Sequence, residues 1–92
     1  MKNSRHEVYH AINGERDYQN SLGSNRTDGH EKTVGDYLTM LSVYVRKAEE
    51  AWTSTSGDEL ALHEIRKIAA IAVRCMEEHG ALPRVVERKK PL

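Results

Sequence analysis

With 92 residues the chain has room for one domain, and a domain of that length buries a smaller share of its surface than a larger one does. Hydrophobic residues make up 38% of it and Phe is absent, so four Tyr, one Trp and the aliphatic residues must form the interior, which predicts a thin core completed by self-association. Fourteen Lys and Arg balance fourteen Asp and Glu; without a net positive field, general nucleic-acid binding is not expected.

The N-terminal MKNSRHEVYH lacks the apolar stretch of a secretory signal, and the longest apolar run, Ile68 to Val73, is too short to span a bilayer. One cysteine, Cys75, has no partner for an internal disulfide and sits in apolar surroundings. We therefore expect a cytoplasmic protein in a reducing compartment, with no membrane contact.

In chain order, Ser4 followed by Glu7 fits a capping box and predicts a first helix from about Arg5. Val8, Ala11, Ile12 and Tyr18 could line its inner side, while Asn13-Gly14 is a turn signal where the helix is expected to break or kink, because Gly inside a helix costs about 1 kcal/mol against Ala. Residues 20–32, rich in Gly, Ser, Asn and Asp, read as an exposed loop.

Thr33 with Asp36 marks a second start, after which Leu38, Leu41, Val45, Ala48 and Trp52 recur at helical spacing. Thr53 to Gly57 interrupts the pattern, and Ser56 with Glu59 offers a capping box for a third helix with the stripe Ile65, Ile68, Ala69, Ala72 and Met76. Gly80 is expected as a left-handed terminator, backed by Pro83. Residues 1–83 thus form one all-α domain, and 84–92, with Arg84, Arg88, Lys89 and Lys90 against Glu87, form a basic tail that is expected to be mainly solvated.

The expected architecture is a three-helix protomer, in which the second and third helices form an antiparallel hairpin and the first packs across it. Leu38, Leu41, Val45, Trp52, Ile65, Ile68, Ala72 and Met76 should form its centre, and two such hairpins would make a four-helix core in a homo-oligomeric bundle, a dimer or tetramer.

Few residues suggest chemistry. His6 and His10 share one helical face but lack an evident third metal ligand, so solvated imidazoles are the simpler reading. The tandem acids Glu49-Glu50 and Glu77-Glu78 point about a third of a turn apart and read as solvated faces. Cys75 has no neighbouring base to activate it, and we assign no catalytic residue and no metal ligand. Glu15, Arg16, Asp17 and Tyr18 put charge and a ring into one turn, which could hold a base and a phosphate, although a salt-bridged surface with Tyr18 packed inward is the simpler reading.

The run Glu15-Arg16-Asp17-Tyr18, followed by His30, the helix from Asp36 to Trp52, and Glu64 in an Ala-rich helix, resembles the all-α nucleoside triphosphate pyrophosphatases, the MazG-like and dCTP pyrophosphatase-like proteins. The resemblance covers about residues 8–80 and rests on short motifs in matching order. It implies four carboxylates, Glu-x-x-Glu on one helix and Glu-x-x-Asp on the next, that hold magnesium against a triphosphate. This chain departs from that pattern. Ser42 to Arg46 contains no acid, Glu64 remains, and Lys67 replaces the Asp, so three of four carboxylates are missing.

A cation beside a divalent ion repels it, whereas the same cation can pair with a phosphate. The resemblance therefore implies a degenerate, non-catalytic pocket for a nucleotide or nucleotide-derived messenger, with no cofactor, drawing on Glu15, Arg16, Tyr18, His30, Tyr44, Lys47, Glu64 and Lys67. The chain is also similar to short phage-encoded proteins of this type, for which sequestering a nucleotide-derived host defence signal is the implied use. Two alternatives stay open: a magnesium-dependent pyrophosphohydrolase with ligands displaced to Glu49, Glu50, Glu64 or a neighbouring subunit, and a structural or protein-interaction module.

Overall fold

The computed structural model describes residues 2–22 and 31–85, which form three helices: α1 (Arg5–Ser21), α2 (Val34–Trp52) and α3 (Asp58–His79). His30 and the tail beyond Val85 lie outside the described residues. Among the described residues there is no strand, and no helix is long and apolar enough to cross a membrane.

Two of the three helix starts follow the sequence signals. Glu7 N–H donates to Ser4 Oγ at 3.1 Å while Ser4 N–H donates to Glu7 Oε1 at 2.7 Å, and Thr33 with Asp36 repeats this exchange at 3.0 and 2.9 Å. Each box satisfies two donors that a helix start would leave unpaired. The backbone hydrogen bonds hold both carboxylates below their ordinary pKa, because they favour the charged form.

The third start differs from expectation. Gly57, not Ser56, is the N-cap, and α3 has no side-chain cap bond. The chain turns through Gly57 at φ 45°, a left-handed value that disfavours side chains, and Ser56 contributes only its carbonyl, which accepts from Glu59 N–H at 3.1 Å. At the far end Gly80 has the expected positive φ, 133°, but its ψ of 134° is extended rather than left-handed helical; its N–H closes the helix onto Met76 O at 2.8 Å.

α2 and α3 pack as an antiparallel hairpin, with Tyr37 at the start of α2 meeting His79 at the end of α3 edge-on, ring centroids 6.1 Å apart. At the other end Trp52 Nε1 donates to Asp58 Oδ1 at 3.0 Å across the connection. α1 docks on α3 rather than across both helices.

The core is smaller than expected and lies elsewhere. Buried apolar residues are Tyr37, Ala61, Ala70 and Ile71. None of the expected central residues is buried: Leu38, Val45, Trp52, Ile65 and Met76 are exposed, and Leu41, Ile68 and Ala72 are half-buried. The reason is that α2 carries two apolar stripes side by side. Tyr37, Met40, Tyr44 and Ala51 lie on the covered one, Ala48 lies between the two, and Leu38, Val45 and Trp52 of the expected stripe lie exposed next to it. Tyr37 is fully buried and its hydroxyl has no hydrogen-bond partner. Burial, with the nearby Glu78 carboxylate adding to it, pushes this phenol up to about 12.

α1 is unbroken at Gly14, where an added Cβ would meet nothing within 4 Å. A single glycine costs about 1 kcal/mol in a helix interior, too little to end a helix that is capped at its start and docked through its second half. Gly14→Ala should therefore raise stability by roughly 0.5–1 kcal/mol, read as a higher denaturant midpoint at unchanged slope. A lower midpoint would show that α1 is not continuous there.

Candidate functional site

The side of α1 turned to α3 is mostly polar. Val8, Ala11 and Tyr18, expected to face inward, are exposed, and of the expected apolar set only Ile12 is partly covered. Ile12, Glu15, Arg16 and Gln19 form the covered stripe at helical spacing instead.

Charge pairs hold this contact. Arg16, only 7% exposed, donates through Nε and Nη2 to the two oxygens of Glu77 at 3.0 and 2.7 Å, and through Nη1 to Asn20 Oδ1 at 3.0 Å. Such a forked pair fixes orientation as well as distance. One residue earlier, Glu15 accepts from Arg66 Nε at 2.7 Å, and Arg66 Nη1 lies 2.7 Å from His63 Nδ1. Glu15 and Arg16 thus tie α1 to two places on α3. Glu77 and Glu78, expected as a solvated pair, both have partners, since Glu78 accepts from Arg74 at 3.2 Å.

Glu64 and Lys67 form a pair within α3, Nζ to Oε2 at 3.2 Å. The second carboxylate oxygen of Glu64 is buried and has no partner, as is the side-chain oxygen of Gln19 on α1. A buried polar atom left without a hydrogen bond costs about 1–3 kcal/mol, so these two together with the Tyr37 hydroxyl call for a physical reason. On α2, Lys47 Nζ stands 4.7 Å over the Tyr44 ring, a cation–π contact at the surface.

The structure thus places Glu15 and Arg16 in the α1/α3 contact, Glu64 and Lys67 together on α3, and Tyr44 with Lys47 on α2. Tyr18 is 58% exposed and joins none of them by a ring contact or side-chain hydrogen bond. Sequence reasoning missed Gln19, Asn20, His63, Arg66 and the pairing role of Glu77. Gln19 and Asn20 follow Glu15 and Arg16 by four residues and so share their faces, which was the available signal. Among the described residues no three His, Cys, Asp or Glu side chains converge on a point that could hold a metal ion.

Compared with known proteins, the chain matches no family model, no curated protein and no solved structure.

Because Arg16 is buried while Glu77 keeps about half its side chain in water, losing the arginine leaves a partner that can rehydrate. Arg16→Ala should cost about 2 kcal/mol, less than the loss of one partner from a fully buried pair. Adding Glu77→Ala should cost little more, a coupling of roughly 1–3 kcal/mol in a double-mutant cycle by chemical denaturation. Additive losses would show that the pair does not hold α1.

Proposed function

We propose that the chain is a non-catalytic binder of an anionic nucleotide or nucleotide-derived messenger, centred on Glu64 and Lys67 of α3. The observation that carries this reading is the orphaned oxygen of Glu64, buried beside an ammonium group. A ligand hydroxyl or amino group would supply the donor that oxygen lacks. Lys67, whose side chain is 38% exposed, can turn from Glu64 to a phosphate with little desolvation cost.

The polar character of the α1/α3 contact supports the same reading. An apolar stripe on α1 would dock at least as stably as these ion pairs do, so their presence is better explained by a polar ligand than by stability. Lys67 also explains why binding would not need magnesium, since its charge would oppose a divalent ion held by Glu64. Without a set of carboxylates to position a metal and activate water, a bound nucleotide is held rather than hydrolysed. A second reading, a protein-interaction module, is favoured by the apolar face of α2 and α3, which this site does not use.

A thermal-shift panel of nucleoside triphosphates, cyclic dinucleotides and ADP-ribose-type compounds, run in EDTA, tests the first reading. At a hundredfold excess over Kd a true ligand should stabilise the fold by about 2.7 kcal/mol, and Lys67→Glu should abolish the shift. Stabilisation that requires magnesium would favour the displaced-ligand hydrolase instead. No shift with any nucleotide would contradict nucleotide binding.

A further inference from the structure

The nucleotide reading leaves unused the open side of the α2/α3 hairpin. Val45, Ala48 and Trp52 of α2 face Ala61, Ile65 and Ile68 of α3 across a groove of about 600 Å³. It continues along α2 into a second hollow lined by Leu38, Leu41, Val45, Arg46 and Glu49. Trp52, 61% exposed, is pinned over the groove end by its bond to Asp58.

We infer that this face is covered by a second copy of the chain, through a two-fold interface in which Arg46 of each protomer pairs with Glu49 of the other. Three observations commit the face to that occupant. The first is area. Leu38, Val45, Trp52, Ile65 and Met76 leave bare roughly 500 Å² of apolar surface, taking about 200 Å² for a fully exposed large side chain. A stable interface takes about 800 Å² from each partner, of which about 65% is apolar in homodimers, so the patch is the size a dimer needs.

Charge is the second. Arg46 and Glu49 are exposed, of opposite sign, and line the same edge of the hollow. A two-fold axis crossing α2 between them sets each beside its complement twice over, since in an isologous contact one pair implies the other. With fourteen charges of each sign the chain as a whole also carries no net charge to repel a second copy. The third is the deficit inside: the four buried apolar residues among the described ones are a poor core, and burying Leu38, Val45, Trp52, Ile65 and Met76 would more than double it.

The test uses the full chain at tens of micromolar, with mass read by light scattering after gel filtration. The wild type should run at twice the 10.5 kDa of the chain or a higher even multiple. Val45→Glu adds a charge to a side chain already exposed in the protomer, so it should give folded monomer, with unchanged helix content by circular dichroism. Arg46→Glu and Glu49→Arg should each weaken association at least tenfold. An equimolar mixture of these two should restore it, because every facing pair is then again of opposite sign. A monomeric wild type, an oligomer indifferent to Val45→Glu, or no recovery on mixing would overturn the proposal. So would co-sedimentation of monomer with neutral lipid vesicles, which would make lipid the occupant instead.

Discussion

The constraint on which the rest of the structure depends is the shortage of large apolar side chains able to face one another within a single chain. Among the described residues Tyr37 is the one large side chain that is fully buried, and the other buried apolar residues are two alanines and an isoleucine. With so few, α2 and α3 can close only one seam. α2 nevertheless has apolar residues on two adjacent faces, so closing that seam leaves Leu38, Val45 and Trp52 bare. A fold that spends half of its scarce apolar surface on an open face is expected to bury it elsewhere.

The same shortage explains how α1 is held. Lacking an apolar stripe opposite α3, it docks through Arg16 with Glu77 and Glu15 with Arg66, each a charge-assisted bond at 2.7–3.0 Å. These bonds are directional, which fixes α1 in place, and Gln19 Oε1 on the covered stripe of α1 lies buried without a donor. Glu64 and Lys67 offer ligand chemistry and the open apolar face offers an interface, and the two rest on different residues, so either can fail without the other.

Helix number, order and two of the three starts were legible in the sequence, because a capping box is a local exchange between residues three apart. The hairpin was legible from the short break at Thr53 to Gly57. What was not legible was which of two neighbouring stripes on α2 would meet α3, since both are apolar and only tertiary packing separates them. The stripe from Leu38 to Trp52 holds the larger aliphatic residues and so read as core, whereas Tyr37, with a polar end, occupies the buried position. The site was legible only in part. Glu15 and Arg16 stood out as charges in one helical turn, but their partners Arg66 and Glu77 lie 51 and 61 residues away, and no spacing rule reaches that far. Gly14 misled because a turn signal was weighed without the docking that overrides it.

The most direct measurement is the denaturant midpoint of the unmodified chain as a function of protein concentration. If a second copy covers the open face, association stabilises the folded chain by mass action, and the midpoint should rise steadily across a hundredfold range of concentration. A midpoint that does not move over that range would show that no second copy stabilises the fold, and would contradict the account of the open face.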